Sequence, residues 1–338
     1  MNELELFAFI RRLVDIPSVS GEEGEVGRFL GDDLSEKGFT VTLQQVAPER
    51  RNVYAVQNGV SPRMVFCTHI DTVPPFYPSS EDDDYIYGRG SCDAKGIAAT
   101  MVAATLALAD AGVRDVGLLF VVGEEVDSAG AIVANDLESD SRYVVVGEPT
   151  ENRMATGHKG GFKFKLSARG KAAHSAYPHL GASAIAFLLD ALAEIRAEDW
   201  GTNEVLGDAT INVGTIHGGL AANVFAPEAE SEVFIRVVGK VLDVQAKIDA
   251  ILTRHPNLSY QIINQSDAVF CETVPGFDTA PVSFGTDIPA LHAFGKPLLL
   301  GPGSIHDAHT NAEKLGKREA VEAVAYYQVL AKQLLGSL

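Results

Sequence analysis

The stretch Met64-Val-Phe-Cys-Thr-His-Ile-Asp-Thr-Val-Pro74 decides how the chain is interpreted. Met64 to Cys67 are apolar or small, which predicts a short buried strand, and Pro74-Pro75 ends the run. Because side chains alternate along a strand, His69 and Asp71 point to the same side. The Asp71 carboxylate can then accept the N–H of one imidazole nitrogen and leave the other nitrogen free for a metal. A surface His–Asp pair at the start of a loop is the plain alternative.

Carboxylates follow two further apolar runs. Val116 to Val122 predicts a strand buried on both faces, and it leads into Gly123-Glu124-Glu125. Tyr143 to Val146 predicts another, followed by Gly147-Glu148-Pro149. Adjacent carboxylates near a core repel each other unless they are paired or bind a metal. Since ligands collect outside the carboxyl ends of strands in open α/β sheets, the pattern predicts a metal site, with one glutamate free to act as a general base.

A glycine-rich loop, Tyr87-Gly-Arg-Gly-Ser-Cys-Asp-Ala-Lys-Gly96, precedes an alanine-rich segment. Ile97 to Ala111 contains good helix formers, so we expect a long helix there. Asp93 has two compatible interpretations at this position. It caps the helix N-terminus, or it bridges two cations where the loop brings the backbone close.

The hydrophobic pattern of the sequence changes near Lys159. Phe162 to Ser167 alternates apolar and polar residues, which is typical of a half-exposed strand. The segments that follow predict the order strand–helix–strand–strand–helix–strand, which is ferredoxin-like α+β. We therefore expect an α/β domain with a mixed, largely parallel sheet flanked by helices, formed by residues 1–159 and 268–338. A ferredoxin-like domain, 160–267, is inserted into it.

Composition excludes several classes of function. The formal net charge of −18 over 338 residues argues against nucleic acid and anionic membrane surfaces as partners. Three distant cysteines suggest a reducing compartment. With no leader-like segment and no apolar run long enough to span a bilayer, we expect a cytoplasmic protein.

The chain resembles a family of metallopeptidases and deacylases that includes acetylornithine deacetylase, succinyl-diaminopimelate desuccinylase, glutamate carboxypeptidase and aminoacylase. The resemblance extends over essentially the whole chain, from Ile16-Pro-Ser-Val-Ser-Gly-Glu-Glu23 onward. Its motifs are His69-x-Asp71, Gly88-Arg-Gly-Ser-Cys-Asp93-x-Lys-Gly, Glu124-Glu125, Gly147-Glu148-Pro149 and Gly301-Pro-Gly-x-x-x-x-Ala-His309.

This resemblance implies two zinc ions per chain, for which cobalt can substitute. His69 and Glu148 would hold one ion and Glu125 and His309 the other, with Asp93 as the bridge. Such oxygen and nitrogen ligand sets are typical of catalytic rather than structural sites.

The resemblance also assigns the chemistry. Asp71 would orient His69, and Glu124 would be the general base that takes a proton from the attacking water and passes it to the leaving amine. His306 competes with His309 as a ligand, but the family's spacing favours His309. The peptide bond after Asp93 is cis in the family.

In the family the inserted domain serves as a lid and dimerisation domain. This implies a homodimer in which His174, in Gly170-Lys-Ala-Ala-His-Ser, reaches the partner's active site and supports the oxyanion. A polar surface histidine in a turn is the plain alternative.

Substrate choice depends on three segments that look more like acetylornithine and acetylcitrulline deacetylases than the desuccinylase. They are Gly157-His-Lys-Gly160, which contains Lys159, then Gly214 to Ala226, and Gly285-Thr-Asp-Ile-Pro289. Asn223 and Arg236 fall where lid residues of the family bind the substrate's α-carboxylate. An asparagine in a turn and an arginine in a surface ion pair are the alternatives.

Asp287 either senses a positive side-chain amine, such as that of ornithine, or caps the segment that follows it. We therefore expect hydrolysis of a small N-acyl amino acid, first of all N-acetyl-L-ornithine, in amino-acid (arginine) biosynthesis. The alternatives are N-acetylcitrulline, an N-succinyl substrate, a dipeptidase or carboxypeptidase substrate, and a non-catalytic binding relative.

Overall fold

The structure is a computed structural model that describes residues 1–57, 61–137 and 139–336. The α-helices in these residues are α1 (Glu3–Val14), α2 (Gly24–Glu36), α3 (Lys95–Asp110), α4 (Ala129–Ala134), α5 (Ala184–Ala197), α6 (Val241–Leu252) and α7 (Lys317–Leu335). Two short 3-10 helices lie at Pro178–Leu180 and Ile288–Ala290. None of the helices in this described part of the chain combines the length and apolar character needed to cross a bilayer.

The strands are numbered in chain order. They are β1 (Phe39–Ala47), β2 (Arg50–Gln57), β3 (Met64–His69), β4 (Ser80–Glu81), β5 (Tyr85–Tyr87), β6 (Val116–Val121), β7 (Tyr143–Val146), β8 (Met154–His158), β9 (Gly160–Arg169), β10 (Thr202–Asn203), β11 (Gly207–Asp208), β12 (Thr210–Gly218), β13 (Glu228–Val237), β14 (Leu258–Ser266), β15 (Val269–Phe270), β16 (Thr279–Val282), β17 (Lys296–Leu299) and β18 (Lys314–Gly316).

The chain divides into two compact units. Unit 1 comprises Met1–Thr156, Cys271–Ala280 and Thr286–Leu338, and unit 2 comprises Gly157–Phe270 and Pro281–Gly285. The predicted boundaries at 159/160 and 267/268 lie within three residues of the two main divisions, but the return of residues 281–285 to unit 2 was not predicted.

Unit 1 contains a six-stranded sheet in the order β1-β2-β6-β3-β7-β17. Its last four strands are parallel, while β2 is antiparallel to β6 and β1 is antiparallel to β2. Strands β3 and β6 are buried along their whole length, as continuous apolar runs predict. Helices α1, α2, α3 and α7 pack with this sheet in one apolar core. For example, the ring centroids of Phe66 in β3 and Tyr327 in α7 lie 5.1 Å apart, with the rings tilted by 45°. The mixed, largely parallel α/β fold is therefore as predicted.

Local sequence explains where the helices of unit 1 begin. Asn2 and Glu5 form a reciprocal capping box at the start of α1, which satisfies two otherwise free backbone N–H groups. Helix α3 begins without a side-chain cap, and its N-cap residue is Ala94. Asp93 therefore does not cap this helix, which leaves the bridging interpretation.

Unit 2 contains a four-stranded antiparallel sheet in the order β12-β13-β9-β14. With α5 after β9 and α6 after β13, this is the ferredoxin-like arrangement. Strand β13 alternates buried and partly exposed positions, so only one face of the sheet contributes to the core with α5 and α6.

Candidate metal centre

Four parallel strands bring the predicted ligands to one edge of the unit 1 sheet. Because β6, β3, β7 and β17 run in the same direction, the loops that follow them leave from the same edge. His69 is the last residue of β3, and the remaining candidates lie in the loops after β6, β7 and β17 and before α3, namely Glu124, Glu125, Glu148, His309 and Asp93.

Two groups of potential metal ligands share one carboxylate. The ligand atoms of His69, Asp93 and Glu148 lie within 4.8 Å of one another, and so do those of Asp93, Glu125 and His309. Asp93 Oδ1 is 2.9 Å from His69 Nε2, and its Oδ2 is 3.3 Å from His309 Nε2. The two oxygens of Asp93 therefore face two different groups, the arrangement that a bridging carboxylate requires.

Asp71 supports His69 and the loop of the two glutamates. The Nδ1 atom of His69 lies 3.0 Å from the backbone oxygen of Asp71 and 3.5 Å from its Oδ1. The Asp71 carboxylate also accepts hydrogen bonds from the backbone N–H groups of Glu124 and Glu125 and from the Ser20 hydroxyl. With Nδ1 engaged in this way, Nε2 is the imidazole nitrogen that faces Asp93.

The electrostatics indicate an excess of negative charge. Burial, followed by repulsion from Glu124, raises the pKa of Glu148 well above its ordinary value, and burial also raises that of Glu124. Burial opposes ionisation of Asp93 as well, but hydrogen bonds with His309 and His69 hold its pKa well below normal. The carboxylates Asp93 and Glu125 raise the pKa of His309 to about 10.

The residues present fit a pair of divalent cations. Two imidazole nitrogens and three carboxylates form the nitrogen and oxygen donor set that catalytic zinc prefers. Buried carboxylates that raise each other's pKa are stabilised when cations are added between them. Glu124 belongs to neither group and is partly exposed, so its carboxylate is available for another role.

The loop after β17 contains both competing histidines. His309 adopts a left-handed backbone conformation with φ of 62°, and its Nε2 lies 3.0 Å from Glu125 Oε1. His306 is exposed and belongs to neither ligand group. The peptide bond between Asp93 and Ala94 is cis, as the resemblance implies.

Four residues near the centre lie in or beside the quoted motifs but received no role from the sequence, namely Glu313, Arg89, Lys95 and Ser20. Glu313 is almost fully buried and accepts hydrogen bonds from the loop that ends at Asp93. Lys95 is fully buried and donates to the backbone oxygen of Ile16; burial lowers its pKa to about 7. The motif Gly-Arg-Gly contains Arg89, but its partner is more than two hundred residues away, so no local pattern could identify the pair.

Two of the predicted residues of unit 2 lie together on exposed loops. His174 pairs with Val224 through an isolated β-bridge, and the N–H of Ser175 donates to the backbone oxygen of Asn223. His174 and Asn223 are both exposed, and His174 Nδ1 accepts only the N–H of Ala176 among the described hydrogen bonds.

Arg236 and Lys159, also in unit 2, differ in their contacts. The Arg236 guanidinium lies 4.5 Å from the Phe234 ring centroid, and burial lowers its pKa. No ion pair of Arg236 is found within the described residues, so the surface ion pair that was the alternative interpretation is not formed. Lys159 is nearly buried and donates 2.6 Å to the backbone oxygen of Asp208.

Asp287, in unit 1, is 2% exposed. Neither of its carboxylate oxygens has a hydrogen-bond partner within 3.5 Å among the described residues, and it makes no side-chain cap for the 3-10 helix that follows. Burial raises its pKa to about 6, and the Ser128 hydroxyl beside it offsets this only in part. The capping alternative for Asp287 is therefore wrong.

Comparison with known proteins assigns the family. The family model described as peptidase family M20/M25/M40 matches residues 65–333, which is most of the chain. The chain belongs to peptidase family M20/M25/M40. A Schizosaccharomyces pombe protein described as a peptidase M20 domain-containing protein is 41% identical over 334 residues, covering 96% of this chain and 83% of that protein. A probable carboxypeptidase of Aspergillus clavatus is 38% identical, covering 99% of this chain and 90% of that protein.

Solved structures share the M20 fold at low sequence identity. A tripeptidase from Staphylococcus aureus has a TM-score of 0.81 at 22% identity, covering 98% of this chain and 97% of that chain. A dinuclear metal binding peptidase of the M20 family from Bacillus subtilis has a TM-score of 0.73 at 16% identity, covering 99% of each chain. These structures show the shared fold. Because the chain belongs to peptidase family M20/M25/M40 and brings two groups of potential metal ligands together, it is a metal-dependent hydrolase of the peptidase and amidohydrolase type.

Proposed function

We propose that this M20 protein hydrolyses the amide bond of a small N-acyl amino acid at a pair of divalent metal ions, with N-acetyl-L-ornithine as the first substrate to test. The observation that carries the proposal is the pair of ligand groups that share Asp93, with Glu124 beside them. Zinc is the proposed metal, and cobalt the proposed substitute. When bound, such ions would act as Lewis acids and lower the pKa of a water molecule.

Glu124 is the proposed general base. Glu125, its neighbour, faces His309, and Asp71 holds the backbone N–H groups of both glutamates. The backbone of Glu124 is thereby held in place, while its carboxylate belongs to neither ligand group. It would take a proton from the attacking water and deliver it to the leaving amine.

The leaving amine is proposed to be an amino acid with a free α-carboxylate. Arg236 supports this, because a guanidinium with no carboxylate partner among the described residues suits bidentate binding of a substrate carboxylate. Asn223 and Lys159 are proposed to assist. Of these two, Lys159 has the weaker support, since its ammonium group already donates to a backbone oxygen.

Asp287 supports a substrate that carries a positive charge. A buried carboxylate whose oxygens have no partner within 3.5 Å among the described residues, and which the nearby Ser128 hydroxyl compensates only in part, costs free energy that an incoming ammonium group would offset. Ornithine has such a group on its side chain and citrulline does not. This favours N-acetylornithine over N-acetylcitrulline and is consistent with a role in arginine biosynthesis.

The dimer and the lid remain part of the proposal. Unit 2 is the proposed lid and dimerisation domain, and His174 is proposed to support the oxyanion in the partner's active site. The exposed strand β12 lies at the edge of its sheet in the described part of the chain and offers backbone groups to a second copy. A cytoplasmic location is likewise proposed.

A carboxypeptidase is the second candidate. Relatives that are 37–38% identical are described as probable carboxypeptidases, and one solved structure of the same fold is a dipeptidase from Saccharomyces cerevisiae. Both reactions release an amino acid with a free α-carboxylate and differ in the acyl group. The same centre and the same use of Arg236 would serve either one.

The test is amine release from a matched panel with added zinc or cobalt. The panel contains N-acetylornithine, N-acetylcitrulline, N-acetyllysine, N-succinyl-diaminopimelate and a dipeptide. Preference for N-acetylornithine over N-acetylcitrulline, lost in Asp287→Asn, would support the proposal. Preference for the dipeptide would support the carboxypeptidase. No turnover on any member despite two bound metals would contradict both and indicate another acyl substrate or a non-catalytic binding role.

A further inference from the structure

Glu313 holds the loop that ends at Asp93 through four donors. Its Oε1 accepts the backbone N–H groups of Gly90, Cys92 and Asp93 at 2.8, 3.2 and 3.1 Å. Its Oε2 accepts Nη1 of Arg89 at 2.6 Å. Glu313 and Arg89 are each 2% exposed, so water does not compete for these bonds.

Only an ionised carboxylate satisfies this arrangement. A carboxylate accepts at both oxygens, whereas the amide of glutamine accepts at one end and donates at the other. Glutamine at position 313 would therefore direct an N–H group either at the Arg89 guanidinium or at the three backbone N–H groups. In either orientation an N–H donor of the amide faces another N–H donor. The site is buried, so these unsatisfied groups are costly.

The loop that Glu313 holds is the one whose orientation matters most to the centre. Asp93 directs one oxygen toward His69 and the other toward His309. A carboxylate shared by two ligand groups tolerates little rotation, because a rotation that improves one contact lengthens the other. Helix α3 begins at Lys95 without a side-chain cap, so Glu313 supplies the side-chain acceptor for the N–H groups just before it.

We propose that Glu313 is a positioning residue for the bridging carboxylate: by binding three backbone N–H groups of the loop Gly88–Asp93, it fixes the direction of both Asp93 oxygens. This inference rests on the proposed two-metal function. It assigns Glu313 no contact with substrate or metal. Glu313 would affect the reaction only by orienting Asp93.

Glu23 and Arg50 provide a matched control. The Glu23 carboxylate is fully buried and accepts Nε and Nη2 of Arg50 at 2.8 and 2.7 Å, its only side-chain hydrogen bonds in the described part of the chain. This pair resembles Glu313–Arg89 in charge and in the burial of its carboxylate, although the Arg50 side chain is 17% exposed and that of Arg89 only 2%. Glu23 accepts no backbone N–H group of a ligand-bearing loop. A purely stabilising role would make the two glutamates equivalent.

The experiment measures zinc affinity, the visible spectrum of the cobalt-substituted protein and the thermal midpoint in variants of the full chain. Glu313→Gln is expected to weaken zinc binding by about 10–100-fold and to change the cobalt spectrum. The double variant Arg89→Met/Glu313→Gln removes the opposing guanidinium, so the amide oxygen can accept the three loop N–H groups. It is expected to recover most of the zinc affinity and the original spectrum. Glu23→Gln is expected to lower the thermal midpoint while leaving zinc affinity and the spectrum unchanged.

Three outcomes would overturn the inference. They are unchanged zinc affinity in Glu313→Gln, an equal loss in Glu23→Gln, and a double variant that recovers nothing. If Glu313→Gln does not fold, the double variant decides alone, because the inference requires it to bind zinc nearly as the unmodified chain does. The proposed function fails separately, if the unmodified chain does not bind two ions.

Discussion

Glu23 and Glu313 each pair with an arginine, whereas Glu124 and Glu148 pair with no lysine or arginine among the described residues. The first two form ion pairs with Arg50 and Arg89. For Glu124 and Glu148, no ion pair with lysine or arginine occurs among residues 1–57, 61–137 and 139–336, and burial raises the pKa of both. Where a carboxylate stabilises the fold, the chain supplies the cation. Where the chain leaves it uncompensated beside other carboxylates, a cation is expected from solution.

The largest effect is expected from Glu124, which lies outside both ligand groups. Glu124→Gln should lower kcat by about 10²–10⁴-fold, because it removes the proposed general base, and should leave two metals bound. Steady-state kinetics together with elemental analysis of the same sample check this. Loss of a metal would mean that base and ligand have been exchanged in our assignment.

Different effects on stability are expected when one glutamate of each kind is neutralised in metal-free protein. Glu23→Gln leaves Arg50 without its counter-ion and should lower the free energy of unfolding by about 3 kcal/mol. Glu148→Gln removes a repelling charge and should leave stability unchanged or raised by about 1 kcal/mol. Urea unfolding at pH 7 measures both. A loss of similar size in the two variants would contradict the comparison.

How much of this could be predicted depended on the kind of contact. His69, Glu125 and Glu148 could be assigned to one site because parallel strands end at a common edge, and periodicity reveals buried strands. The order of strands and the pairing of Glu313 with the loop at Gly90 could not be assigned. Those contacts join segments far apart in sequence, and no repeating pattern marks them. The cap predicted at Asp93 was wrong because the helix begins after it, at Lys95.

A smaller effect is expected from Arg236, a partly buried arginine that forms no ion pair with any residue the structure describes. Arg236→Met should raise KM by about 10–100-fold, since the proposed charge-assisted bond to the substrate carboxylate would contribute roughly 1.5–3 kcal/mol. The thermal midpoint should change little, because no carboxylate loses its partner. A large fall in stability with unchanged KM would instead assign Arg236 to the fold. Arg50→Met, which does strand a buried carboxylate, is the control.

The smallest effect is the pH dependence that His309 gives to metal-free protein. Its pKa is raised from an ordinary 6.5 to about 10 by Asp93 and Glu125. A base whose pKa is raised in the folded state contributes its full stabilisation of the fold when the pH is below its unfolded-state pKa. This contribution is lost as the pH rises toward the folded-state pKa of about 10. The thermal midpoint should therefore fall between pH 6.5 and 10. His309→Gln should make this slope shallower, and an unchanged slope would refute the assignment.

The measurement that tests the central claim most directly is metal stoichiometry. Elemental analysis of zinc-loaded protein should give two ions per chain, and one in Glu148→Ala and in Glu125→Ala, because each variant damages one ligand group. Asp93→Ala should lose both ions, since the two groups share this carboxylate. Two ions retained in Asp93→Ala, or fewer than two in the unmodified chain, would contradict the account.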